Sequence, residues 1–337
     1  MNATLGKVAE HAGVARDTAR KVLLGDPSVR PYIREAVQKA IKELDYHPNQ
    51  VARALRGKNM RLVPISVHAL NEFYFGNLAW HLSKSLVMRG MEPTLCFDSE
   101  HLLRMSRSFS TSGSIRVGWI GDENLCELRR QQPVVTIDAH SSAAKGTGNV
   151  GINFAKAYRR LTRAALARGK RRFAIVSAHY VECLKRGWEV KKFSHVFDVL
   201  RERGLGAAEP SGANVFGCAA ELDAWMDAQS AGAVGAAQSA GAVDAVFCEN
   251  DLVAAQVSMK LAARGLRLPE DVLVAGCDAN CRVHGAWSVR LDAESIAIAA
   301  VELLCQLIDG GKAAAANPVY TPDVIDENGD VVPEPKA

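Results

Sequence analysis

From Leu62 onward the sequence alternates between two patterns, and no other feature constrains the fold as much. Apolar, β-branched runs recur as LVPISV, PTLCF, IRVGWI, PVVTID, RFAIVSA, DAVFCE and VLVAGC. Helical periodicity fills most of the intervals, roughly at 75–89, 154–168, 185–203, 252–264 and 294–308. Parallel strands need a crossover between them, and the crossover helices cover both faces of the sheet. About 270 residues exceed what one such sheet needs, so the pattern predicts two lobes with a cleft between them. Ligands of open parallel sheets sit beyond the carboxyl ends of the strands, and a cleft between lobes is a common binding site.

The first sixty residues read differently, with no strand signal. Leu5, Val8, Ala9 and Ala12 repeat at helical spacing until Gly13. A second helix is expected at 16–24, stopped by Gly25-Asp26-Pro27, and a third after Pro31 buries Ile33, Ala36, Val37, Ala40, Ile41 and Leu44. Two short helices around a glycine turn, then a longer third, make a helix-turn-helix arrangement. In DYHPNQVARALRGKNMR, Pro48 suits the first turn of a fourth short helix that Gly57 ends.

Charge separates the two regions. Residues 1–61 hold twelve Lys and Arg against six Asp and Glu, so they carry +6 of an overall +4 and leave the remainder at −2. A small basic module on a near-neutral body points to a polyanion as partner for the module alone. Hydrophobic content of 48% with 23% charged residues is that of a globular chain. No apolar run reaches membrane-spanning length, and the N-terminal residues lack the apolar core of a secretion signal, so a cytoplasmic protein is expected. Eight scattered cysteines (Cys96, Cys126, Cys183, Cys218, Cys248, Cys277, Cys281, Cys305) suit reduced thiols better than a disulfide framework. The single C-x3-C pair, Cys277 and Cys281, is a poor metal signal, and neither a metal nor a cofactor is expected.

With these residues laid out, the sequence resembles the lactose-repressor (LacI) family of bacterial transcription regulators. The resemblance is strongest over 4–58, TLGKVAEHAGVARDTARKVLLGDPSVRPYIREAVQKAIKELDYHPNQVARALRGK, which includes a Y-x-P-N-x-x-A-R-x-L hinge. RGLRLPEDVLVAGCDA and AVFCENDLVA match landmarks of the family's body. The resemblance implies an all-α helix-turn-helix headpiece (1–46), a hinge helix or linker (47–61) and an α/β, two-lobed, periplasmic-binding-protein-like domain with parallel sheets (62–337). Its N-lobe is expected at about 62–152 and 284–318, its C-lobe at about 153–283. A homodimer whose headpieces read a near-palindromic DNA operator on the nucleoid, controlled by a small-molecule effector in the cleft, is implied as well.

On this reading the second helix enters the major groove, where each base pair presents a distinct donor and acceptor pattern. Arg16, Asp17 and Arg20 fall where side chains point at bases: either arginine can bind guanine bidentately, and Asp17 can accept from a cytosine amine. Thr4, Thr18, Lys21 and Arg30 are expected on phosphates, which position without specifying. In the family the hinge segment forms a helix on specific DNA and wedges a leucine into the minor groove; Leu55 matches that leucine and Ala52 its small neighbour, with Asn49 and Arg53 on the backbone. Two departures weaken the headpiece. Ala15 stands where the family has a capping hydroxyl, and Ala19 stands where it has a core valine.

Carried over position by position, the effector residues fall on Tyr74, Phe75, Lys192, Phe216, Asp251 and Asp278. Lys192 replaces an arginine, which removes a planar bidentate fork, and Ala279 replaces a second aspartate. The proline of the family's N-P-F-F is missing from NEFYFG, and the Ser-rich 98–116 segment leaves the first lobe without a regular helix there. The pocket has diverged, with a sugar-like or nucleoside-like effector left open, as are repression or activation and dimer or tetramer.

Two other classes fit less well. GTGNVG at 146–151 has the dinucleotide-binding spacing, but its preceding strand ends near Asp138 and the next expected strand ends without the required acid. P-loop, H-E-x-x-H and G-x-S-x-G motifs are absent, so an enzyme is not expected. A sugar-binding transport protein shares the two lobes but accounts for neither the basic module nor the missing leader. The near-identical tandem copies AQSAGAVGA and AQSAGAVDA at 228–245 suit a tolerated surface connection.

Overall fold

The computed structural model describes residues 4–23, 25–46, 61–67, 69–118, 122–138, 148–187, 192–205, 214–232, 243–310 and 317–334. The chain divides into two units, Met1–Leu62 and Val63–Ala337. The first contains α1 (Leu5–His11), α2 (Arg16–Leu23) and α3 (Pro31–Glu43). Thr4 caps α1 by accepting from the Lys7 amide. α2 opens on the Ala15 carbonyl alone, which accepts from the Thr18 and Ala19 amides. Gly13 and Gly25 take the positive φ that the two tight turns require. Val8, Ala9, Ala19, Val22, Val29, Val37 and Ala40 form the buried centre of this unit, and His11 bonds Glu43 across α1 and α3 at 2.8 Å. Residues 47–60 of the expected hinge, including Asn49, Ala52, Arg53 and Leu55, lie outside the described residues.

The second unit holds two six-stranded sheets. In the first lobe β1 (Leu62–Ser66), β2 (Glu92–Cys96), β3 (Ser114–Val117), β4 (Val134–Ile137), β5 (Gly148–Ile152) and β11 (Val319–Tyr320) are ordered β11-β5-β4-β3-β1-β2. In the second, β6 (Phe173–Val176), β7 (Val215–Phe216), β8 (Ala245–Cys248), β9 (Leu273–Asp278), β10 (Trp287–Arg290) and β12 (Asp323–Ile325) are ordered β12-β10-β9-β8-β6-β7. β12 pairs antiparallel with β10, whereas β6, β7, β8, β9 and β10 are parallel. All seven apolar runs thus became strands.

The helices cover both faces. In the first lobe α12 (Ala293–Ile308) packs on α4 (Phe73–Met88) and on β3, β4 and β5. α5 (Ser99–Ser108) and α6 (Asp122–Gln131) bury Leu102, Leu103, Leu125 and Leu128 in a second cluster with Cys96 and Val134. In the second lobe α7 (Phe154–Ala167) and α9 (Ser194–Glu202) pack together on the side of Phe173, Ile175 and Phe247. α10 (Ala219–Gly232) and α11 (Asp251–Ala263) lie with Ala174, Val176 and Val246. The two-residue period of β6 therefore divides its side chains between two cores.

Several expectations need correction. The single helix at 185–203 is two: α8 (Ala178–Arg186) ends at Gly187, whose φ of 65° closes a left-handed cap, and α9 begins at Ser194. The Ser-rich 98–116 segment does form a helix, because Asp98 caps α5 by accepting from the His101 amide and Leu102 and Leu103 supply an apolar face. The GTGNVG segment, given no strand by the sequence pattern, runs into one: Gly148–Ile152 pairs with β4 from Val135–Gly148 to Ile137–Val150. A Cβ on Gly148 would meet Leu303 at 2.8 Å, so the glycine there permits α12 to pack closely. The return to the first lobe falls after Arg290 rather than at 284, because β10 belongs to the second sheet, and β12 takes the chain back to that sheet after β11. The tandem copies at 228–245 lie mostly outside the described residues.

Candidate nucleic-acid interface and ligand cleft

On α2 the helical period puts Ala19 and Val22 inward, while Arg16, Asp17, Arg20 and Lys21 are exposed and Thr18 is half-buried. Arg20 Nε lies 3.3 Å from Asp17 Oδ1, with both side chains more than half exposed, so the pair is weak and opens readily for other partners. The turn after α2 is fixed from both sides. Arg34 donates to the Asp26 carbonyl at 2.7 Å, and the Asp26 carboxylate accepts from the Ser28 amide and hydroxyl, which holds its pKa below the usual carboxylate range. Arg30 is exposed at the start of α3. Thr4 is exposed and caps α1 while its hydroxyl proton stays available for donation.

In the second unit the polar groups gather where strands end. Tyr74 is buried at the start of α4, edge-on to Phe75 with ring centres 5.3 Å apart. Its hydroxyl has no partner among the described residues, and burial, with Asp278 and Asp138 beside it, pushes its pKa well up, so it remains a donor. Lys192 precedes α9; its Nζ donates to Cys277 Sγ at 3.6 Å and stands over the Phe154 ring, 5.0 Å from the centre. Burial pushes the ammonium toward neutrality, but the neighbouring Cys277 sulfur, followed by Asp278, Glu249 and Asp138, outweighs it and its pKa rises. Burial keeps the Cys277 thiol protonated.

Asp251 opens α11 and is buried; Oδ1 accepts from Ser288 Oγ at 2.7 Å, and Oδ2 has no partner among the described residues. Burial raises its pKa from 3.8 to about 6. Its approach to β9 depends on Gly276, where a Cβ would lie 2.9 Å from Asp251 Cα. Asp278 ends β9 with a positive φ of 95° and is likewise pushed up by burial. Between the lobes, Asn77 Nδ2 on α4 donates to Asn280 Oδ1 at 3.3 Å.

The structure thus gathers Tyr74, Phe75, Lys192, Asp251 and Asp278 but not Phe216. That ring is buried in the second-lobe core, 5.6 Å from Trp225, and presents no open face for stacking. Sequence reasoning missed Phe154, Tyr158, Cys277, Asp138 and Glu249. The Tyr158 hydroxyl is enclosed without a partner among the described residues, and Glu249 accepts from Ser177 Oγ at 3.0 Å. Asp138 and Glu249 directly follow β4 and β8, so the rule that ligands lie beyond strand ends would have found both.

A helix-turn-helix unit with a basic outer face, joined to a two-lobed α/β unit with a polar cleft, defines a DNA-binding transcriptional regulator with a ligand domain. Residues 4–49 match the bacterial regulatory proteins of the lacI family, and residues 162–326 match the periplasmic binding protein-like domain. The chain thus joins a segment matching the lacI-family DNA-binding model to a segment matching the periplasmic binding protein-like model, and is similar over most of its length to regulators of that kind. It is 27% identical over 321 residues to the HTH-type transcriptional regulator GntR of Pseudomonas aeruginosa, covering 91% of this chain and 90% of that protein. Catabolite control protein A of Priestia megaterium is 25% identical over 285 residues, 82% of this chain and 83% of its own. The same-named protein of Staphylococcus xylosus matches at 26% over 187 residues, 53% of this chain and 57% of its own. Among solved structures, a Lac repressor dimer bound to operator and the anti-inducer ONPF superposes with a TM-score of 0.76 at 18% identity, covering 97% and 98% of the two chains. A CelR–cellobiose complex gives 0.61 at 23% identity, over 98% and 100%.

Proposed function

We propose that this regulator binds a near-palindromic duplex operator as a homodimer, and that a small molecule in the interlobe cleft sets its affinity. The observation that carries the reading is the division of α2, with Ala19 and Val22 buried and Arg16, Asp17, Arg20 and Lys21 outward. Arg16 and Arg20 address guanine edges and Asp17 a cytosine amine, while Thr4, Thr18, Lys21 and Arg30 hold phosphates. Leu55 with Ala52 enters the minor groove, and Asn49 and Arg53 hold its backbone. The site of action is nucleoid DNA in the cytoplasm. Among the described residues no helix is long and apolar enough to cross a membrane.

Dimerisation is supported by an apolar surface on the first lobe. Phe73, Trp80, Val87 and Met88 of α4 are exposed, as are Leu95 on edge strand β2 and Phe97 just after it. Such a surface is unusual on a monomer and suits a self-complementary contact. The cellobiose of the CelR complex makes a neutral, hydroxyl-rich effector the first choice for screening. Genomic fragments selected with the purified chain, followed by a metabolite screen on the selected fragment, test the reading. Affinity for one palindrome should exceed that for random duplex at least 10³-fold, fall steeply with salt, and vanish when residues 1–61 are removed. Equal affinity for all duplexes would overturn it.

A further inference from the structure

The turn that leaves β9 is strained where the lobes touch. We propose that Ser288 is a positioning residue of the cleft: its hydroxyl, tied to Asp251, holds the amide of Ala279 and so keeps Asn280 within reach of Asn77 on the other lobe. This rests on the reading of the cleft as the ligand site, and names the group that sets how its two sides meet.

Among the described residues four non-glycines hold a positive φ: Asp45, Asp138, Asp278 and Ala279. Aspartate can steady that conformation with its own side chain, whereas Ala279, at 53°, has only a methyl. It directly follows Asp278, at 95°, so two unfavourable residues stand in succession. Such a pair persists only where its surroundings hold it. Ser288 supplies the hold. Its Oγ accepts from the Ala279 amide at 3.2 Å and donates to Asp251 Oδ1 at 2.7 Å. Ser288 on β10 is in register with Gly276 on β9, where a Cβ would lie 2.9 Å from Asp251 Cα. The absent side chain lets Asp251 lie against the sheet beside Ser288. Ser288 and Asp251 are both buried, so water does not compete for these bonds. One residue beyond Ala279, Asn280 Oδ1 accepts from Asn77 Nδ2 at 3.3 Å. Asn77 stands three residues after Tyr74 on α4, on the same side of that helix. The turn therefore touches the first lobe where Tyr74 enters the cleft, and it does so through side chains rather than through the chain's own crossings.

A cycle of thermal midpoints on the full chain tests this without DNA or ligand. Asn77→Ala should lower the midpoint by about 2 °C. In a Ser288→Ala background the same change should do nothing, because Asn280 has already left its place. Adding Ala279→Gly removes the strain, so the turn should stand without the hydroxyl and Asn77→Ala should regain its effect. A purely local role for Ser288 gives instead the same loss from Asn77→Ala in every background. That result, no effect of Asn77→Ala in the unmodified chain, or no recovery with the glycine overturns the proposal. If Ser288→Ala does not fold, Ser288→Cys, with its weaker acceptor, carries the same cycle. The second readout is affinity for the selected operator, which Ser288→Ala should change at least fivefold and Ala279→Gly restore. The expected midpoints in a chain that prefers no operator would leave Ser288 in its role and remove the regulator reading. Additive midpoints in a chain that does prefer one operator would do the reverse.

Discussion

Ala15 gives α2 a carbonyl, which accepts from the Thr18 and Ala19 amides, but no capping side-chain oxygen. Ala15→Ser supplies an acceptor for an N2 or N3 amide, and should stabilise the headpiece by about 1 kcal/mol in thermal unfolding. On the proposed reading of α2, Arg16 addresses a base and Lys21 a phosphate, so the two would separate specificity from affinity on one helix. Arg16→Ala should cost about 1–3 kcal/mol at one base pair and relax preference there, while Lys21→Ala should weaken every duplex alike and lower the salt slope by about 1. Fluorescence anisotropy on single-base variants of the selected operator distinguishes the two. In the cleft, Asp251 holds its proton up to about pH 6 in the folded chain against 3.8 normally. The folded state therefore binds that proton more tightly, and the resulting stability is complete below pH 4 and lost as pH rises through 6. Asp251→Asn should flatten the thermal midpoint across that window, and an unchanged slope would count against this assignment.

At the scale of elements, the strands that sequence revealed were those lying in runs of five to seven residues rich in apolar and β-branched types. Those it concealed were short or glycine-bearing: β5 carries Gly148 and Gly151, and β7 and β11 have two residues each. Gly148 exists for its neighbour rather than for its own backbone, a reason that local pattern does not contain. Gly148→Ala should push Leu303 and lower the thermal midpoint by several degrees through overpacking of about 1–3 kcal/mol. The helix at Ser99–Ser108 was obscured by its serines, although Asp98 as a cap three residues before His101 is a local signal. The outward face of α2 was legible because amphipathic period and charge coincide there. In the cleft, the family resemblance located Tyr74, Asp251 and Asp278, but Cys277, Phe154 and Tyr158 meet only through the tertiary fold. Phe216 shows the opposite failure, since alignment of position says nothing about which way a ring turns.

At the scale of the molecule, the exposed apolar residues of α4 and β2 make self-association a measurable property. Trp80→Glu with Met88→Glu should shift the chain to monomer in sedimentation equilibrium, and weaken operator binding by removing the second headpiece. The route of the chain adds a different consequence. It crosses between lobes three times, after β5, after β10 and again between β11 and β12. Neither lobe is a continuous stretch of sequence, so neither can be cut out as a single expressed fragment. A protease nick in one crossing leaves two peptide tethers intact, and the cleaved molecule should migrate as one particle until denaturant releases its pieces.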